Sequence, residues 1–248
     1  MFNLMLEKLK PAAAQRIKPF LEEVLSKYQE KIHSIYITGT SITDDFHIKS
    51  SDVNSIFVLK EMNVKFLKLI APLGKKYGKN KVAAPLIMTP EYIKKSLDVF
   101  PIEFLNFKLI HAAAFGEDIL ENIEINRIDL RYQSERELKV KLIWLRQAYI
   151  SSLGDRKILM EKLVASIAGY IPLFRGIMVL LDKQPPIRQN EAITALSEAA
   201  NINTDVFTKA LGAKREKIKF SPEEIDTVFE DYYMATEKLG NIIDEIKE

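Results

Sequence analysis

The 248-residue sequence contains no cysteine, only three histidines, at 33, 47 and 111, and only nine glycines. Without thiols there can be no disulfide framework, no thiolate zinc or iron–sulfur site and no cysteine nucleophile. Three scattered histidines are too few for a histidine-rich metal centre. No strong charge of one sign is present either. Lys plus Arg number 36 against 34 Asp plus Glu, a formal net charge of +2, so bulk electrostatics do not single out a polyanionic or polycationic partner. Long apolar runs are also missing. The longest uninterrupted one near the middle is Gly176 to Leu181, far short of the roughly 18–20 residues that span a bilayer. Met1 to Lys10 carries an acid and two lysines among its apolar residues, unlike the continuous core of a secretion signal. The expectation is a cytoplasmic protein without a membrane partner.

What is present is the material of a globular core. Hydrophobic residues make up 47% and charged residues 28%, enough apolar surface to offset chain entropy. The halves differ. Residues 1–120 hold 17 basic and 13 acidic side chains and contain runs of strand length, whereas residues 121–248 hold 19 and 21 and follow a period near 3.6. Two domains, 1–120 and 121–248, are expected.

In the first half, helices are expected at Leu9 to Tyr28, Met62 to Tyr77 and Pro90 to Leu97, the last with Thr89 as N-cap. Strands are expected at Ile32 to Thr38, Val53 to Leu59, Val82 to Met88 and Ile102 to Phe107. On Met62 to Tyr77 the expected apolar side is Val64, Leu67 and Ile70. The lysines at 60, 65, 68, 75, 76, 79 and 81, with Glu61 the only acid among them, read as its wet side and exit loop. Nucleic acid is not the expected partner, since the stretch reads as the wet side of an amphipathic helix rather than as a single-strand stacking platform. In the second half, Leu138, Leu142, Leu145 and Tyr149 form a stripe on a helix over Ser134 to Ile150. Further helices are expected at Asp155 to Gly169, Pro172 to Leu181, Asn190 to Ala200 and Thr204 to Leu211. A last helix is expected to open at Ser221-Pro222-Glu223-Glu224, an N-cap followed by proline and glutamates.

The chemistry concentrates in Ile35 to Leu59. A strand ends at Gly39, the hydroxyl residues Thr40 and Ser41 follow, and a polar loop leads to Asp52-Val53-Asn54 at the start of the next strand. Alternation puts Asp52 and Asn54 on one face. Two hard oxygen ligands there suit Mg²⁺, and a glycine-hydroxyl turn lets backbone N–H groups approach a phosphate closely. Asp44, Asp45 and His47 in the loop read as solvated turn residues.

This constellation resembles the nucleotidyltransferases of the DNA polymerase β superfamily, in particular the branch containing aminoglycoside nucleotidyltransferases. Their pattern is a strand, Gly-Ser, about a dozen residues, then Asp-hydrophobic-Asp opening another strand. Gly39-Thr40 and Asp52-Val53-Asn54 match it with 11 residues between Thr40 and Asp52. Phe100 to Leu105, Gly116-Glu117-Asp118 and Leu130 to Glu135 extend the likeness to uncharacterised relatives with an appended helical domain. The resemblance implies an α+β fold, a nucleotidyltransferase-like mixed sheet with flanking helices followed by an all-α bundle. It implies that Gly39, Thr40 and Ser41 hold a nucleoside triphosphate, that Asp52 and Asn54 are metal ligands, and that Glu103 on the fourth strand is the third acid. The implied reaction is Mg²⁺-dependent transfer of a nucleoside monophosphate to a hydroxyl acceptor that the residues do not identify, in a protein for which a homodimer is consistent with the family. Asn54 departs from the pattern, because a neutral amide offers one good metal-facing oxygen and no charge. The alternative is therefore a catalytically inactive nucleotide-binding or regulatory protein on the same fold.

Overall fold

The computed structural model describes residues 2–216, 221 and 223–246. The chain divides into two compact units, one of residues 1–97 and 106–124, the other of residues 98–105 and 125–248. Together they form an α+β protein in which the strands among the described residues all lie in the first unit.

The first unit opens with helix α1 (Pro11–Tyr28), started by a proline at its first turn, where a missing N–H costs nothing. Strand β1 (Ile32–Thr38) follows, then β2 (Asn54–Leu59), helix α2 (Val64–Gly78), β3 (Leu86–Met88), helix α3 (Pro90–Lys95) and β4 (His111–Gly116). The sheet order is β3-β2-β1-β4. β1 runs antiparallel to both β2 and β4, and β2 runs parallel to β3, so the sheet is mixed. Alternation sends Ile35, Ile37, Phe57 and Leu59 into one core with Ile17, Phe20 and Leu21 of α1 and Phe66, Ile70 and Leu73 of α2. Phe20 meets Phe57 edge-on at 5.7 Å between ring centroids, a geometry the aromatic quadrupole favours.

Several local expectations are corrected. On α2 the buried stripe is Phe66, Ile70, Leu73 and Tyr77, while Val64 and Leu67 are exposed among the lysines. Apolar residues outnumber the positions one face can bury, and contact with β2 selects the face. Strand β3 is confined to three residues. The largest correction concerns residues 102–107, which are not a strand. They lie in helix α4 (Pro101–Leu109), which buries Pro101, Ile102, Phe104 and Leu105. Pro101 occupies the first helical position, and Gln133 Oε1 accepts the Ile102 N–H at 2.8 Å, a cap supplied from 31 residues away. The strand pairing with β1 is instead β4, an alanine-rich stretch with little strand propensity of its own.

In the second unit, α5 (Arg127–Ser151) starts at Asn126, whose side chain accepts from the Ile128 and Asp129 N–H groups. It is followed by α6 (Arg156–Ser166), α7 (Tyr170–Leu180), α8 (Gln189–Ala200), α9 (Asp205–Glu216) and α10 (Ile225–Glu245). Of the expected α5 stripe, Leu138 and Leu145 are fully buried but Tyr149 is exposed. The last helix begins later than its start signal suggests. Glu224 does accept the Ser221 N–H at 3.1 Å, and Pro222 lies outside the described residues. Tyr170, Phe174, Phe207 and Tyr232 form the centre, with ring centroids 4.7–5.6 Å apart. The hydroxyls of Tyr170 and Tyr232 are satisfied by Thr236 and Ser166, as burial demands. The segment Arg156–Leu180 is long and apolar enough by composition to cross a membrane, yet 61% of its most apolar window is buried inside the protein.

Candidate functional site

The Gly39 turn grows directly out of the sheet. At the end of β1, Thr38 pairs with Asn54 of β2 on one side and with His111 of β4 on the other. Residues paired in antiparallel register share a face, so Asn54, Thr38 and His111 form a row across three strands, opposite the α1–α2 face. Directly beyond Thr38 the backbone enters the left-handed region at Gly39 (φ +73°) and closes a short 3₁₀ turn, Gly39–Ile42. A Cβ at Gly39 would sit 3.7 Å from Asn54 Nδ2. The glycine of the first motif and the asparagine of the second are therefore adjacent.

The turn and its loop are anchored by α1. The Lys10 N–H donates to the Ser41 carbonyl at 2.9 Å, and the Lys10 ammonium pairs with Asp44. Arg16 donates to the carbonyls of Ser51, at 3.2 Å, and Ile48, with its guanidinium 5.7 Å over the Phe46 ring. These contacts order eleven residues with no regular structure of their own. Asp44 and His47 are exposed, as expected of loop residues, but Asp45 is buried. Thr40 is half-buried. Ser41 is fully buried, and its Oγ has no hydrogen-bond partner. Ser41 thus faces inward, leaving Thr40 as the hydroxyl nearer solvent.

Asp52 stands at the mouth of β2 with its side chain 58% exposed, its Oδ1 3.9 Å from the Lys81 ammonium. Both residues are placed by a parallel bridge between Val53 and Val82. The Val53 N–H donates to the Lys81 carbonyl at 2.8 Å, and the Ala83 N–H to the Val53 carbonyl at 3.0 Å. Lys81 takes up a left-handed backbone (φ +60°), a conformation that L-residues with a Cβ adopt at a cost.

Glu103 lies on helix α4 rather than on a strand, in the second unit. Its carboxylate accepts a 2.8 Å hydrogen bond from Gln133 Nε2, the same side chain whose Oε1 caps Ile102. Its surroundings there are those of a helix-start clasp. None of the four strands carries an aspartate or glutamate. Among the described residues no group of three or more His, Asp or Glu side chains is placed to hold a metal ion.

Two further residues, unmarked by the sequence reading, shape the site's floor. His111, at the head of β4, has both ring nitrogens engaged. Nδ1 lies 2.7 Å from the Phe107 carbonyl, and Nε2 lies 3.0 Å from each Asp118 oxygen. Asp118 also accepts the Leu120 and Glu121 N–H groups at 3.2 and 3.3 Å. Tyr36 donates to the Glu117 carbonyl at 2.6 Å and accepts the Ile119 N–H at 2.9 Å. This clasp ties the chain after β4 back to β1. The signal available in the sequence was His111 and Asp118 flanking a short apolar stretch, which acquires meaning only once β4 pairs with β1.

The ion that the family resemblance implies is Mg²⁺, which prefers charged oxygen ligands in near-octahedral array. The residues at this turn do not fit that demand. Of the two motif positions only Asp52 carries a carboxylate, with an ammonium 3.9 Å from it. Asn54 brings no charge, and its Nδ2, a donor, is the atom nearest the Gly39 Cβ position.

No protein-family model matches the chain, and comparison with curated proteins finds no match. Among solved structures, the chain is similar to the spectinomycin adenyltransferase AAD(9) from Enterococcus faecialis, whose crystal structure contains ATP and spectinomycin. The TM-score is 0.55 and the identity 13%, over 91% of this chain and 98% of that one. At that identity the likeness establishes architecture rather than activity: this chain has the α+β nucleotidyltransferase-like fold, with a mixed sheet and a helical second part.

Proposed function

We propose that this protein is a nucleotide-binding protein on a nucleotidyltransferase-like fold, in which the metal-dependent transfer chemistry of that fold is lost or strongly reduced. The observation that carries the reading is the composition of the turn. Gly39 and Asn54 are adjacent where β1 ends and β2 begins, while of the two motif positions only Asp52 carries a carboxylate, and it faces Lys81. Two-metal catalysis neutralises charge developing on attacking and leaving oxygens. A site that cannot gather two divalent ions forfeits that stabilisation but keeps the geometry for holding a polyphosphate. The ATP in the similar adenyltransferase structure supports a nucleoside triphosphate as the ligand class. Its spectinomycin supports no particular acceptor here.

The test is a paired measurement on the full chain, ATP binding by calorimetry and pyrophosphate release in Mg²⁺ with candidate hydroxyl acceptors. Binding without release is expected in the natural protein, and release gained by Asn54→Asp would show what the amide took away. Turnover by the natural protein that vanishes in Asp52→Ala would refute the reading in favour of an active transferase.

A further inference from the structure

We infer that Lys81 takes over the role of the divalent cation at this site, so that the protein binds the polyphosphate of a nucleotide through an ammonium group and without a metal ion. The inference rests on the nucleotide-binding reading above and specifies how that site recognises its ligand. Its starting point is charge. Two aspartates at the motif positions would present two negative charges, which attract Mg²⁺ and repel a bare polyphosphate. Here Asp52 is negative, Asn54 neutral and Lys81 positive, with its ammonium 3.9 Å from Asp52 Oδ1, so the cluster carries no net charge. A divalent ion gains little there, whereas the triphosphate meets a cation already in place.

Backbone geometry shows that the lysine is held there by the fold. The Lys81 N–H donates to the Gly78 carbonyl at 3.0 Å, closing the exit from α2, and its carbonyl accepts from Val53 at the mouth of β2. The residue bears the left-handed conformation (φ +60°) although Asn80, of a type that tolerates that conformation better, is its neighbour. Non-glycine residues held in such conformations concentrate at functional sites. The Asp52–Lys81 contact is long, with side chains 58% and 41% exposed. Such pairs bind weakly, and the ammonium is therefore available to a stronger anion. A phosphate oxygen makes charge-assisted hydrogen bonds that the carboxylate at 3.9 Å does not.

The experiment measures ATP affinity of the full chain in excess Mg²⁺ and in EDTA, for the natural protein, Lys81→Asn and Asp52→Asn. Asparagine at 81 suits the backbone better than lysine, so a loss there does not report misfolding. Chelation is expected to leave the natural affinity unchanged or tighter. Lys81→Asn is expected to weaken ATP by about tenfold to a hundredfold in both conditions, and Asp52→Asn to leave it unchanged or tighter. Binding that collapses in EDTA, or in Asp52→Asn, or that is indifferent to Lys81→Asn, overturns the inference while leaving the nucleotide-binding reading intact. A folded natural protein that binds no ATP in either condition overturns both.

Discussion

Gly116 offers the sharpest mechanical test of how the sheet beneath the site is built. Its backbone is left-handed (φ +77°), and it pairs with Ser34 where β4 joins β1. A Cβ added there would lie 2.1 Å from the His33 carbonyl oxygen and 2.9 Å from Ser34 Cα. Both are backbone atoms of the neighbouring strand, so no side chain can rotate away. Gly116→Ala therefore pays about 1–2 kcal/mol for the left-handed conformation and about 1–3 kcal/mol for overpacking that must push the strands apart. The expected loss is about 2–5 kcal/mol, a large part of the roughly 5–15 kcal/mol that stabilises a domain. Gly39→Ala is the matched control. Its φ is +73°, but the nearest atom to the new Cβ would be Asn54 Nδ2 at 3.7 Å, an ordinary contact, so only the conformational cost of about 1–2 kcal/mol applies. Urea denaturation with a common m-value measures both. Equal losses in the two variants, or a loss below about 1 kcal/mol for Gly116→Ala, would refute the steric account.

Other outcomes follow from particular contacts. Gln133→Ala orphans the Ile102 N–H and removes the partner of the Glu103 carboxylate, and should cost about 1–3 kcal/mol in a denaturation experiment. Glu103→Gln should leave ATP affinity unchanged, and an affinity loss would return Glu103 to the ligand site. Lys141 lies with its ammonium 4.3 Å over the Tyr170 ring, and burial holds it below the ordinary lysine range, partly opposed by Glu137. The unfolded chain therefore holds that proton more tightly, so stability should rise with pH between the lowered value and the ordinary one. Lys141→Met should flatten that alkaline rise, as read from denaturation midpoints across the range. An unchanged pH slope would show that Lys141 is not the group responsible.

Strand β1, helices α1 and α5 to α9, and the adjacency of Gly39 with the 52–54 motif were legible because each is encoded locally. β-branched residues mark β1, Thr89 and Asp155 cap their helices through their own side chains, and a strand-turn-strand motif brings its two ends together by pairing. Residues 102–107 were misread because Ile102, Phe104 and Asn106 satisfy period two as well as Ile102 and Leu105 satisfy a helical turn. The deciding cap, Gln133, lies far away in sequence. β4 was missed because alanine carries no strand signal, and Lys81 because a lysine in a lysine-rich stretch is unremarkable until its backbone is seen to bridge to Val53.

Composition, periodicity and the 39–54 motif by themselves determined the α+β class, the change to helices in the second part, and the glycine-hydroxyl turn that leads to the 52–54 motif. These depend on contacts between near neighbours in the chain. The tertiary structure alone decided that Glu103 lies on a helix and bonds to Gln133, that Ser41 turns inward, and that an ammonium from just beyond α2 stands beside Asp52. Each of these outcomes is set by which distant segment arrives at a given face of the sheet or helix, and burial and charge compensation between distant segments leave no periodic trace in the sequence.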